Sequence, residues 1–128
     1  MTCAVGELLV QLRLLEFGVQ AAPPHKDSGN DLIAVKEKEF RSIQVKATEN
    51  PDAFNFGAAE LQKRTYDVLA LVQIVGEDKT LALDQCQIFL LAFDEVTKGY
   101  YRVDALDAFR MNQARVDTLF GAKHQAPQ

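Results

Sequence analysis

The sequence predicts a single α/β domain, and three observations carry that reading. Residues 5–17 place Val5, Leu8, Leu9, Leu12 and Leu15 at helical spacing. Short apolar runs bounded by turn residues follow at Leu32 to Val35, Phe40 to Ala47, Val68 to Val72 and Gln87 to Ala92. A closing segment, Ala105 to Phe120, sets Leu106, Phe109, Val116 and Leu119 on or near one helical face. With 128 residues, the chain is long enough to bury a core as one domain. The domain is expected to span residues 1–121, with 122–128 a flexible C-terminal tail.

Taken in order, the first helix ends where Gly18 can adopt the left-handed conformation. Val19 to Ala22 reads as a short strand closed by Pro23-Pro24, and His25 to Asn30 as a polar turn. Leu32 to Val35 is the next strand, and Lys36-Glu37-Lys38-Glu39 makes a charged hairpin connection into Phe40 to Ala47. In that run Arg41, Ile43, Val45 and Ala47 form the mostly apolar set. Phe40, Ser42, Gln44 and Lys46 alternate with them, leaving one face for chemistry. Asn50-Pro51-Asp52 is a turn, Phe54-Asn55-Phe56 a brief strand, and Ala58 to Arg64 a short helix or loop. Asp67 to Val75 is apolar enough for a buried central strand. Gln87 to Ala92 contains a further strand, and Asp104 is placed to cap a C-terminal helix that Gly121 closes.

Composition bounds the function classes. The 48% hydrophobic and 25% charged fractions are those of an ordinary globular protein. No apolar run approaches the roughly 18 residues of a membrane span. The leucine-rich start carries Glu7, Gln11 and Arg13 and lacks a basic leader, so it does not read as a signal peptide. Cys3 and Cys86 read as reduced thiols, and the expected location is cytoplasmic, with no membrane partner. The net charge of −4 weighs against tight non-specific binding of nucleic acid. Its distribution is uneven, however. Residues 1–64 hold 8 basic against 9 acidic side chains, residues 65–109 hold 3 against 8, and residues 110–128 hold 3 against 1. Most of the acidity therefore lies away from Asp31, Gln44 and Lys46.

Those three residues are the sharpest chemical signal. Gln44 and Lys46, two apart on a strand, project to one face while Ile43 and Val45 pack behind. If the Leu32 and Phe40 runs pair, Asp31 joins that surface. A carboxylate, a second oxygen ligand and a lysine are what metal-assisted attack on a phosphodiester requires. Glu7, and with it Glu49, are further acids that such a site can recruit.

Helix, strand, hairpin, strand, then helix, with these motifs in order, resembles the PD-(D/E)XK (restriction endonuclease-like) nuclease superfamily. Asn30-Asp31 resembles the family's Pro-Asp, and Gln44-Val45-Lys46 resembles its (D/E)XK tripeptide in the glutamine variant of Mrr-like enzymes and small homing endonucleases. Glu7 resembles the first-helix acid of Holliday-junction resolvase-like members. The resemblance implies a mixed central sheet flanked by helices and a metal-dependent endonuclease acting on DNA. It implies Glu7, Asp31, Gln44 and Lys46 as catalytic residues, with Mg²⁺ or Mn²⁺ held by Glu7, Asp31, Gln44 and the carbonyl of Val45. His25, Lys26, Lys63 and Arg64 are weaker candidates for contact with nucleic acid.

Plainer readings stand beside this one. Asp31 can simply open a strand, Lys46 can be a solvated side chain whose stem packs, and Glu7 can complement the helix dipole. His25 and His124 lack the support for a zinc or acyl-transfer site, and no phosphate-cradling glycine loop occurs. Tyr100-Tyr101 and Phe54/Phe56 suit base stacking or, more commonly, a core. Two further functions stay open: a nuclease-fold module that binds a protein partner or nucleic acid without catalysis, and an unrelated α/β domain. Cutting both DNA strands takes two sites, so a homodimer or larger homo-oligomer is also expected.

Overall fold

A computed structural model describes residues 2–25, 31–57, 59, 61 and 65–121. The first helix, α1 (Thr2–Leu15), buries Gly6, Leu9, Val10 and Leu14. Its end follows from Gly18, whose φ of +80° is open to glycine at no steric cost. There the Gly18 N–H donates to the Leu15 carbonyl (3.2 Å) and the Val19 N–H to that of Leu14 (3.0 Å). This pairing satisfies two of the helix's terminal carbonyls and turns the chain back.

Three antiparallel strands come next: β1 (Gln20–Ala22), β2 (Leu32–Lys36) and β3 (Glu39–Thr48). A two-residue turn joins β2 to β3, with Glu37 at a φ of +55°. After β4 (Ala53–Asn55) the chain crosses to β5 (Val68–Gln73), which runs parallel to β3 from Ile43↔Val68 to Thr48↔Gln73. The hairpin β6 (Gly76–Glu77) and β7 (Thr80–Leu81) leads to β8 (Gln87–Ala92), antiparallel to β5. The strand β9 (Tyr100–Arg102) pairs with β4, and α2 (Gln113–Phe120) closes the described chain. The main sheet has five strands, mixed in direction, in the order β1-β2-β3-β5-β8. The fold is thus mixed α/β.

All six residues of β5 are buried, as its unbroken apolar run predicts. Gln73 is tolerated there because it donates to the carbonyls of Asn50 and Pro51 and accepts from Gln87. One face of the sheet, with Ile43, Val45, Ala70 and Val72, packs against Leu9, Val10 and Leu14 of α1 and Val116 and Phe120 of α2. The other face, with Leu69, Leu71, Phe89 and Leu91, packs against Phe54 and Tyr101 of the β4–β9 ribbon. Both α1 and α2 thus lie on the first face, while Leu61, helical in its own short segment, is buried on the second.

The C-terminal helix is shorter than its periodicity predicts. Val103–Ala105 and Asp107–Phe109 are separate 3-10 turns, and Asp104 pairs with Arg102 and caps no helix. Phe89 bridges to Arg110, and the Met111 N–H donates to Ile88, which keeps the chain extended up to Asn112. Asn112 is the true cap, its side-chain oxygen accepting from the Arg115 N–H at 2.8 Å. Leu106 and Val116 lie in opposite cores, so no single helix could bury both. No described helix is long and apolar enough to cross a membrane.

Candidate metal centre

The carbonyls along β3 point alternately to its two neighbours. Those of Ser42 and Thr48 accept on the β5 side, from the N–H groups of Asp67 and Ile74, and that of Ile43 accepts from the Asp31 N–H on the β2 side. Val45 follows Ile43 by two residues, so its amide and carbonyl also face the β2 side. Among the described residues, pairing with β2 begins at Leu32↔Ile43, and Val45 lies beyond it. Its orphan N–H is taken by the Asp31 carboxylate, at 2.8 Å to Oδ2. The Val45 carbonyl, on the same side, faces the same break in the sheet.

Asp31 stands opposite Gln44 in the continued register, on the face that also carries Lys46. The Gln44 Nε2 donates to that same Asp31 Oδ2 at 2.9 Å. A carboxylate only accepts, so this bond fixes which end of the amide is which. Gln44 is 4% exposed, and its Oε1 is buried without a hydrogen-bond partner among the described residues. An orphan acceptor in so dry a place costs about 1–3 kcal/mol. Apolar neighbours cannot satisfy it, whereas a hard cation or a bound water can.

Glu7 is brought in by close packing. A Cβ built on Gly6 would lie 2.8 Å from the Ala47 Cβ and 3.5 Å from the Val45 Cγ1, so only glycine lets α1 sit this low on β3. The next residue, Glu7, is half-buried and feels Asp31. Burial first, and then the charge of Asp31, raise its carboxyl above the ordinary 4.5. A carboxyl that feels a second carboxylate beside it suits a site for a divalent cation.

Lys46 is half-buried and makes no ion pair among the described residues. It lines a 190 Å³ cavity with Thr48, Asn55 and Phe56. Sequence reasoning did not single out Gly6 or Asn55. A glycine inside a helical pattern was the one available signal for the first. Phe54 and Tyr101 are core residues, with the Phe54 ring edge-on to Phe89, so neither is free to stack on a base. Glu49 is exposed, accepts a hydrogen bond from Thr2 and takes no part in the Asp31–Gln44 contact. His25 is exposed, while Lys26, Lys63 and Arg64 lie outside the described residues.

No group of three or more His, Cys, Asp or Glu side chains that could hold a metal occurs among the described residues. Any ligand set must therefore draw on the amide of Gln44 and on the main chain. The oxygen-only donors at Asp31, Gln44, Val45 and Glu7 fit a hard divalent ion such as Mg²⁺ or Mn²⁺. A larger hollow of 540 Å³ beside α1 is lined by Leu8, Leu12, Leu15, Ile33 and Val35, with no titratable group among the described residues that line it. No protein-family model, curated protein or solved structure matches this chain.

Proposed function

We propose that this protein is a divalent-metal-dependent endonuclease of the PD-(D/E)XK type, hydrolysing DNA phosphodiester bonds. The observation that carries this reading is the Asp31 carboxylate, held by Gln44 and Val45 at the break between β2 and β3, with Lys46 on the same face. The order of helix, strand and hairpin leading to that break agrees with the resemblance in the sequence.

Asp31, Gln44, the Val45 carbonyl and Glu7 are the residues that would hold the ion. When bound, Mg²⁺ or Mn²⁺ supplies a lowered pKa for a coordinated water and polarises the scissile phosphate. Asp31 contributes charge in an orientation fixed before substrate arrives. Lys46 presents an ammonium that orients the attacking water or offsets charge gathering on the phosphate oxygens. Glu7 brings a second negative charge and accepts hydrogen bonds from water at the ion. Cutting both strands of a duplex takes two such sites, which a homodimer would supply.

The test is cleavage of plasmid, linear duplex and branched DNA with Mg²⁺ or Mn²⁺, comparing wild type with Lys46→Ala and Asp31→Ala. Cleavage abolished by either substitution and by chelation supports the assignment. Cleavage that survives both substitutions rejects this site. A folded wild type that binds DNA or a protein without cutting would instead be a nuclease-fold binding module.

A further inference from the structure

We infer that the centre takes one divalent cation per chain, and that Gln44 sets this number by clamping Asp31 with its amide while offering its own oxygen as a ligand. The inference rests on the metal-dependent reading above and concerns how this chain's residues meet the ion.

The atoms of Asp31 are the starting point. Its Oδ2 already accepts two hydrogen bonds, from Gln44 Nε2 at 2.9 Å and from the Val45 N–H at 2.8 Å. Both lone-pair directions in the carboxylate plane are thereby used, leaving Oδ1 as the oxygen for a cation. A carboxylate that bridges two ions in its usual mode gives one oxygen to each, and this one has a single oxygen free of hydrogen bonds. The charges agree with the count. Asp31 and Glu7 together carry two negative charges, which one divalent ion neutralises, and no third acid joins them among the described residues.

The second, independent observation is the other end of Gln44. Its Oε1 is buried and without a partner among the described residues, although the amide is held through Nε2. Turning the amide over would set that oxygen against the Asp31 carboxylate and lose the donor, so the orphan cannot be relieved by a flip. A cation beside Asp31 Oδ1 relieves it. The Val45 carbonyl faces the same break, which completes three oxygens from two short stretches of chain.

Gln44 thus does two things that a glutamate at this position cannot do together. Glutamate keeps a ligand oxygen but has no hydrogen to donate. Ionised, it would set a third negative charge against Asp31. Gln44 lets the Asp31 geometry stand without an ion, so the site is ordered before metal arrives.

The experiment is Mn²⁺ titration of the full chain, read as stoichiometry by calorimetry or electron paramagnetic resonance, with melting measured in chelator and in Mn²⁺. One Mn²⁺ per chain is expected for wild type and none for Asp31→Asn. Gln44→Leu should keep its fold in chelator and lose affinity by about tenfold or more, the range seen when groups supporting a metal ligand are removed. Gln44→Glu should melt below wild type in chelator and recover when Mn²⁺ is added, which a purely structural role would not produce. Two Mn²⁺ per chain in wild type, or unchanged affinity in Gln44→Leu, would overturn the inference. No Mn²⁺ bound by folded wild type would instead reject the metal-dependent reading itself.

Discussion

Asp31 can be separated into a structural and a chemical half by two substitutions. Asp31→Ala removes the acceptor of two hydrogen bonds, at 2.8 Å from the Val45 N–H and 2.9 Å from Gln44 Nε2. It strands two donors, Val45 being 8% and Gln44 4% exposed. Each unsatisfied buried donor costs about 1–3 kcal/mol. Relief of the repulsion with Glu7 offsets a small part, leaving a net loss of roughly 2–4 kcal/mol. Asp31→Asn behaves differently, because both donors meet one oxygen and an amide oxygen can accept both. Only the charge assistance is lost, so its cost should stay within about 1 kcal/mol. Urea denaturation in chelator at neutral pH reads both values, with a matching fall in Tm of roughly 3–6 °C per kcal/mol for a chain of this size. A stable Asp31→Ala would mean that the carboxylate does not hold the break in the sheet. An Asp31→Asn as damaging as the alanine would mean that charge, not hydrogen bonding, holds it.

Two further expectations concern α1. The folded-state pKa of Glu7 lies above 4.5, so ionising it disfavours the folded state. The stability it permits is full below the ordinary pKa and is lost as pH rises through the raised one. Glu7→Gln should therefore match wild type in acid and exceed it by roughly half a kcal/mol at neutral pH, a modest gain because the group is partly solvated. Tm measured against pH in chelator checks this, and an advantage that shrinks with rising pH would refute it. Gly6→Ala adds helix propensity worth about 1 kcal/mol, yet its Cβ would meet the stiff Ala47 Cβ at 2.8 Å. Lifting α1 off β3 should cost about 1–3 kcal/mol and outweigh that gain. A melting point above wild type would show that α1 moves away more easily than this packing implies.

What the sequence made legible was local. The i, i+2 spacing of Gln44 and Lys46 fixes their common face, and the charged Lys36–Glu39 connection marks a hairpin, although the two-residue turn that sets its register is seen only in the fold. That Asp31 joins the same surface follows once the two runs pair, and the register then sets it opposite Gln44. The apolar run of β5, Val68 to Val72, and the left-handed Gly18 were equally plain, because each states its own requirement within a few residues. Features decided by distant contacts were not legible. The β4–β9 ribbon pairs Ala53 with Arg102, and no local pattern announces it. The start of α2 is set by the Phe89–Arg110 bridge, which overrides helical periodicity running back to Ala105. The sequence also offered Gln44 only as an oxygen ligand. That its nitrogen holds Asp31 emerges only when the two segments lie side by side.

The same sheet contains a control for the candidate centre. Asp67 also stands just before a strand and reaches across to β3, its Oδ2 accepting from the Ser42 N–H at 2.8 Å and from the Ser42 hydroxyl at 3.3 Å. Asp31 and Asp67 thus perform one structural act on opposite edges of β3, each satisfying an amide where a neighbouring strand begins or has yet to begin. A carboxylate bonded to a main-chain amide is therefore not in itself evidence of a metal site in this protein. What separates the two is their company. Asp67 is exposed and its partner is a hydroxyl with its own donor and acceptor both engaged. Asp31 has a second acid beside it, Glu7, whose carboxyl it helps to raise, and an amide whose buried oxygen has no partner among the described residues. Asp67→Asn should accordingly leave Mn²⁺ binding unchanged, whereas Asp31→Asn abolishes it. Equal loss in both, measured by Mn²⁺ titration on folded protein, would mean that the integrity of β3, and not a ligand at Asp31, governs the ion.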